Sequence, residues 1–363
     1  MNNPEPDQKD IDFIIAIFSK GQFQKALDEA LEITKYSPKN AILHNIMGAC
    51  YMQLGKLNSA VNSFNDAITI KPDYAKAHYN LGAAYHEMNM YQESEKSYRN
   101  SISFDPTYAQ AHNNLGNALK DDGQYSDAIL SYENAINLNP NYVEAHYSLA
   151  KIYQDSCQYD LIIEHMVKVI SLRPDLAEAH NIIGLGFYGL GQLKEALLAF
   201  QKAVELNTVY SEAYNNQGNA FKALGRTKEA VNSYQNALKI NPAIPELQFN
   251  MGAMLHALDR WDDAIIHYKK ALDIKPNFIE AFFNMGITFQ SQANFDEAIK
   301  SYENALKLQP GFYEAIGNIG TIKQLQGDLH SAIKYFKKAL NINEDARGHY
   351  NLAGAFRNHG DLS

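Results

Sequence analysis

Hydrophobic and polar positions recur along this chain with a fixed long period. Laid out in rows of 34 residues starting at Asp7, Ala41, Ala75 and onward, each row carries two apolar segments of helical spacing. Between them stands Gly55, Gly123, Gly191, Gly225 or Gly327, where a tight turn calls for a residue that takes positive φ without strain. Each row therefore predicts a helical hairpin. Small residues recur where the two helices must approach: Gly48, Gly82, Gly116, Gly184, Gly218, Gly252, Gly286 and Gly320 on the first helix, Ala60, Ala128, Ala196, Ala230, Ala264, Ala298 and Ala332 on the second. Large residues such as Tyr85, Phe64 and Tyr132 fill the gaps. A row closes on Pro38, Pro72, Pro106, Pro140, Pro174, Pro242, Pro276 or Pro310, which stops the second helix by removing an amide donor and clashing with the preceding turn; only position 208 breaks the series, with Thr.

One hairpin cannot bury its apolar stripe alone, so the rows must stack. The expected architecture is all-α, a single solenoid of ten rows at 7–40, 41–74, 75–108, 109–142, 143–176, 177–210, 211–244, 245–278, 279–312 and 313–345. Residues 1–6 form a tail expected to be disordered, and 346–363 supply the first helix of an incomplete eleventh row. Because that row lacks its second helix and a polar cap, the sequence reads as the N-terminal part of a longer protein, with a frayed natural end as the alternative.

The columns His44, Met47, Gly48, Tyr51, Gly55, Ala60, Phe64, Ala67, Pro72, and Phe282, Met285, Gly286, Phe289, Ala298, Tyr302, Ala305, Pro310, resemble the tetratricopeptide repeat, or TPR. The resemblance covers residues 7–363 and implies a right-handed α-solenoid whose first helices line a concave groove. Row five departs from the pattern with Ala150, Ile162, Met166 and, at the turn, Cys157. Ile162 at the close-contact position implies either helices pushed apart, with a local change of curvature, or simple repacking.

Composition narrows the function. The chain has 363 residues, 46% hydrophobic, with 32 Lys and Arg against 41 Asp and Glu, a formal charge of −9 that repels phosphate backbones, so no nucleic-acid partner is expected. Cys50 and Cys157 show no metal or disulfide spacing, which points to a reducing, cytoplasmic setting. The short apolar run from Phe13 to Phe18 is too brief for a signal core or a membrane span.

No catalytic, metal or cofactor site is expected. The Gly184-to-Gly189 match to GxGxxG follows no strand, and Gly184 and Gly191 are explained by the repeat columns. His44, His78, His112, His146, His180 and His349 form a column that invites a metal reading, but packed helices lie roughly 8–10 Å apart, too far for shared ligation. These histidines and Trp261 are read as packing residues.

Polar positions on the first helices are the candidate site. Asn80, Asn114, Asn216, Asn250, Asn284, Asn318 and Asn351 recur at one slot, interrupted by Ser148 and Ile182 and absent at Asp12 and Ile46. A carboxamide is both donor and acceptor and so suits a peptide bond; the column is similar to the asparagine ladder in the repeat arm of O-linked N-acetylglucosamine transferases. Asparagine is also usual at this slot in the family, so a purely structural role stands beside peptide contact. A second column, Glu144, Glu178, Glu212, Glu246, Glu280 and Glu314, complements the helix macrodipole and, facing a groove, would select basic or non-acidic ligands. The slot where carboxylate-gripping members of the family carry lysine holds Asn45, Tyr79, Asn113, Tyr147, Asn181, Asn215, Phe249 and Phe283, which argues against a carboxylate clamp and offers Tyr79, Tyr147, Phe249 and Phe283 for apolar contact. Ile11, Ile15 and Phe18 share one stripe of the first row, a patch for self-association or an end-cap contact. The leading expectation is a non-catalytic scaffold that binds extended protein or peptide segments, with the recruiting arm of a larger enzyme, such as a glycosyltransferase, as the alternative.

Overall fold

The computed structural model describes residues 8–344 and 346–359. The residue 1–6 tail and the turn at 360–362 lie outside the described residues. Among those described the chain is all helical, and it divides into two compact units, Met1–Asp175 and Leu176–Ser363, where the sequence reading has one continuous array. The first unit holds α1 (Gln8–Ser19), α2 (Phe23–Thr34), α3 (Ala41–Gln53), α4 (Leu57–Ile70), α5 (Ala75–Glu87), α6 (Tyr91–Phe104), α7 (Ala109–Asp121), α8 (Tyr125–Leu138), α9 (Val143–Asp155) and α10 (Tyr159–Leu172). The second holds α11 (Ala177–Gly189), α12 (Leu193–Leu206), α13 (Ser211–Ala223), α14 (Thr227–Ile240), α15 (Pro245–Ala257), α16 (Trp261–Ile274), α17 (Ile279–Ser291), α18 (Phe295–Leu308), α19 (Tyr313–Leu325), α20 (Leu329–Ile342) and α21 (Ala346–His359). Within each unit consecutive helices pack as hairpins, and first helices also meet one another: α3 with α5, α5 with α7, α11 with α13, α15 with α17. That mutual contact puts the odd-numbered helices on the inner side of each stack.

The hairpin turns share one backbone device. Gly55 has φ 70°, its N–H donates to Met52 O at 2.9 Å, and the Lys56 N–H reaches Tyr51 O at 2.9 Å. This is the Schellman closure, which satisfies carbonyls left open at a helix end. The same left-handed conformation is imposed at Asn89 (59°), Cys157 (55°), Asp259 (57°) and Ala293 (57°), where no glycine is available.

Size complementarity fixes the distance between the two helices. A Cβ built on Gly184 would lie 2.6 Å from the Phe200 ring, one on Gly116 2.7 Å from Tyr132, and one on Gly286 2.6 Å from Tyr302. The glycine is thus the space that a fully buried ring occupies. Row five solves the same problem with Ala150 and Met166, and row one inverts it with Ile14 and Ala30; all four side chains are fully buried. Ile162 is also fully buried, held beside a flexible Met166 instead of an aromatic ring.

Between rows the chain turns outward through an extended residue, Lys71 (φ −132°, ψ 90°) or Asn139 (φ −138°, ψ 93°), as a following proline requires. Asn207 takes the same conformation (φ −134°, ψ 96°) although Thr208 follows it. Its Oδ1 accepts from the Val209 N–H at 3.1 Å, as Asn139 does from Asn141, so an Asx turn holds the loop without proline.

The histidine column closes these loops. Nε2 donates to the proline carbonyl six residues earlier: His44 to Pro38 at 3.0 Å, His78 to Pro72 at 2.9 Å, His112 to Pro106 at 3.1 Å, with Gln248 doing the same to Pro242 at 3.0 Å. His146 donates to Pro140 and so accepts, at Nδ1, from the Nδ1–H of His165 at 2.9 Å; burial holds both imidazoles below their ordinary pKa and neutral. Trp261 is half-buried at the start of α16 and lies outside the core that the sequence suggests for it.

Two outcomes follow from this packing. Gly184→Ala lowers stability by about 1–3 kcal/mol through overpacking, and Phe200→Met added to it, copying the Ala150 and Met166 pair, recovers part of that loss in thermal melts. Ala293→Gly relieves the left-handed strain and raises stability by about 1 kcal/mol, read as a higher melting midpoint.

Candidate functional site

The asparagine column lies in the middle of the first helices, and an N–H of each of its first six members is already engaged. Asn80 Nδ2 donates to Asn45 Oδ1 at 2.9 Å, Asn114 to the Tyr79 hydroxyl at 2.9 Å, Asn216 to Asn181 Oδ1 at 3.0 Å and Asn250 to Asn215 Oδ1 at 3.1 Å. Every one of these bonds reaches back 35 residues, onto the neighbouring column of the preceding row. Where that earlier residue offers no acceptor the bond changes course. Asn284, preceded by Phe249, donates to its own helix at Glu280 O, 2.8 Å, and Asn318, preceded by Phe283, donates to the Tyr302 hydroxyl at 3.3 Å. Burial pushes the Tyr302 phenol pKa up, with the Asn318 bond opposing it, so the hydroxyl stays protonated and passes its hydrogen to Gln290 Oε1 at 2.8 Å.

Ser148 interrupts the ladder in a telling way. It stands 35 residues after Asn113, whose side chain is 95% buried (5% exposed) and whose Oδ1 has no hydrogen-bond partner. A serine in place of a carboxamide is too short to reach back, and its hydroxyl instead meets Tyr132. The column is therefore a row-to-row tie as well as a candidate ligand surface. Asn216 is buried, while Asn80, Asn114, Asn250, Asn284, Asn318 and Asn351 are half-buried. In Asn80 and Asn250 the oxygen accepts no hydrogen bond among the described residues, whereas Asn114 Oδ1 accepts from Asn113 Nδ2 at 3.1 Å.

The apolar candidates pack in a fixed triad. The Tyr79 ring lies 5.7 Å from Tyr98 and 4.9 Å from Tyr108; Phe249 lies 5.9 Å from Tyr268 and 5.1 Å from Phe278; Phe283 lies 5.7 Å from Tyr302 and 4.7 Å from Phe312. Each ring bridges the buried aromatic of its own hairpin and the aromatic that leads into the next row. Tyr147 is half-buried at the same slot. One row after Phe283 the slot holds Gly317, and nothing approaches within 4 Å of the place its Cβ would take. A cavity of about 660 Å³ opens there, lined by Phe283, Ile287, Glu314, Asn318, Leu340 and Asn351 among others. It joins four residues that the sequence nominates separately, Phe283 from the aromatic slot, Glu314 from the glutamates, and Asn318 and Asn351 from the asparagines. Sequence reasoning missed Gly317 itself; the signal was the end of the aromatic and asparagine slot at Phe283.

The glutamates all stand in the first turns of α9, α11, α13, α15, α17 and α19, exposed except for the half-buried Glu178. Two have partners: Glu212 accepts from Asn181 Nδ2 at 3.1 Å, and Glu246 pairs with Lys275 at 3.3 Å. Glu314 makes no ion pair among the described residues.

The N-terminal stripe differs from its expected form. Ile11 is 4% exposed and sits in the core of the first hairpin with Ile14 and Ile17, and Phe18 packs edge-on against Phe23 at 5.1 Å. Only Ile15 of the three remains on the surface, beside Phe13. The stripe points inward because a terminal first helix still needs its own hairpin contact. Among the described residues no group of three or more His, Cys, Asp or Glu is placed to hold a metal ion, and no helix is long and apolar enough to cross a membrane.

Antiparallel hairpins stacked through first-helix contacts, with side-chain ties at a one-row interval, define a helical-repeat protein. The chain belongs to the tetratricopeptide repeat family. Family models described as TPR repeat match residues 48–89, 116–156, 218–259 and 252–293, and others described as Tetratricopeptide repeat match 75–108, 97–129, 279–312 and 313–345, together more than half of the chain. A curated relative, anaphase-promoting complex subunit 3 of Dictyostelium discoideum, is 35% identical over 54 residues, which are 15% of this chain and 6% of that protein. Among solved structures, YrrB, described as a TPR protein with an unusual peptide-binding site, is 23% identical over 52% of this chain and 97% of its own, with a TM-score of 0.46. MamA is 25% identical over 45% of this chain and 95% of its own (TM-score 0.43), and yeast Tom70 is 15% identical over 97% and 95% (TM-score 0.44).

The orphaned acceptor gives a direct test of the ladder. Ser148→Asn supplies the missing donor to Asn113 and raises stability by about 1 kcal/mol; in Asn113→Leu the same substitution gives no gain, measured as a double-mutant cycle in thermal melts.

Proposed function

We propose that this chain is a non-catalytic protein-interaction scaffold that binds extended peptide segments along the inner face of its first helices. The observation that carries the reading is the pre-set carboxamide at one position in rows three, four and seven to ten. With Nδ2 held by the protein, the side chain cannot rotate freely, and its oxygen is presented as an acceptor at little further entropic cost. Rows spaced by packed helices recur roughly every 8–10 Å, and an extended chain advances about 3.3 Å per residue, so each carboxamide meets about every third ligand residue. Main-chain N–H groups are the common donors of any extended segment, which makes such binding tolerant of sequence. The exposed first-turn glutamates disfavour acidic ligands, and the −9 charge disfavours nucleic acid. The other polar column, the histidines, supports the non-catalytic reading because its ring nitrogens close loops.

Asn284 separates binding from stability, since its amide donates to its own helix and ties no row to the next, whereas Asn318 reaches Tyr302 in the preceding row. Asn284→Ala is expected to weaken capture on a peptide array by about fivefold, the loss of one hydrogen bond, with the melting midpoint nearly unchanged. Capture equal to that of the parent protein would remove the carboxamides from the binding surface.

A further inference from the structure

We propose that the cavity at Gly317 in the second unit receives an arginine side chain of the bound segment. The inference rests on the peptide-binding reading of the same face and adds the ligand chemistry at one position. Three features converge there. First, the cavity is the place where other rows put a ring: Tyr79, Phe249 and Phe283 fill the equivalent position and close their triads, whereas Gly317 contributes no side chain and nothing else moves in. In those rows a flat ring takes this position. Second, at about 660 Å³ it lies within the usual range of ligand pockets, roughly 300–1,000 Å³, so it is large enough for one long side chain with accompanying main chain. Third, among the described residues that line it, Glu314 is the only carboxylate and makes no ion pair, and none is a lysine or arginine.

A guanidinium meets all three conditions. It is planar, its methylene stem lies well against Phe283, Ile287 and Leu340, and its forked donors match both a carboxylate and the oxygen of Asn318, whose Nδ2 is already held by Tyr302. Lysine offers the charge without the plane, and an aromatic ligand side chain offers the plane without the charge.

The test uses the full chain and four capped dodecapeptides of serine and alanine that carry one central arginine, lysine, citrulline or phenylalanine, compared by competition fluorescence polarisation. The arginine peptide is expected to bind about fivefold more tightly than its citrulline counterpart, the effect of one partly screened ion pair. Glu314→Gln brings that ratio to unity. Gly317→Phe, which restores the missing ring, also abolishes the preference and raises the melting midpoint, so the loss cannot come from unfolding. Equal affinity for the arginine and citrulline peptides, strongest binding by the phenylalanine peptide, or a preference that survives both substitutions would overturn the assignment. If the four peptides bind equally and Asn284→Ala still weakens them, only the arginine pocket fails; if none binds, the peptide-groove reading fails with it.

Discussion

The structure depends on one steric bargain, repeated in each hairpin: a first-helix position must be small because a second-helix side chain sixteen residues later is large. With glycine at that position the two backbones approach until a buried ring fills the space, to within 2.6 Å of where a Cβ would be at Gly184 and Gly286. The same volume can be divided otherwise, as Ala150 with Met166 or as Ile14 with Ala30, and the pair still buries completely. What is preserved is the summed size across the interface. Helix spacing follows from that sum, and the positions of all other columns follow from helix spacing.

Once the hairpins stack, the side chains on the inner face work in two directions. The asparagine column reaches back to the previous row and so sets the register between neighbours, while leaving oxygen atoms for something outside the protein. The aromatic slot beside it seals the junctions at Tyr79, Phe249 and Phe283 with a three-ring contact. These two columns explain each other. An asparagine reaches the slot 35 residues earlier where that slot supplies an oxygen, as Asn45, Tyr79, Asn181 and Asn215 do; after Phe249 it turns to its own helix, and after Phe283 to the Tyr302 hydroxyl of the preceding hairpin. A binding surface built this way varies from row to row without any change in the helices beneath it. Gly317 is the extreme case, where neither a tie nor a seal is present and a cavity results.

Much of this was legible in the residues because repeat proteins are nearly one-dimensional: each row touches only its neighbours, so contacts fall at constant separations. The 34-residue period, the helical hairpin, the Gly-to-aromatic pairing and the packing role of the histidines could be read as columns. The proline comb was legible too, yet Asn207 shows that an Asx turn produces the same extended exit where proline is missing. Of the two readings of the N-terminal stripe, the packing of Ile11 and Phe18 in the first core favours the end-cap contact, with Ile15 left on the surface.

Sequence periodicity fixed which residue types recur, how far apart they stand and that the rows must stack, since burial of an apolar stripe admits few alternatives. It could not assign partners to polar side chains. A hydrogen bond forms or fails over a few tenths of an ångström and a few tens of degrees, and those margins depend on how neighbouring rows settle against each other. The engaged donors of the asparagines, the orphaned oxygen of Asn113, the unpaired Glu314 and the cavity at Gly317 all arise at that scale. The division into two compact units is likewise a property of packing density that an unbroken repeat does not reveal.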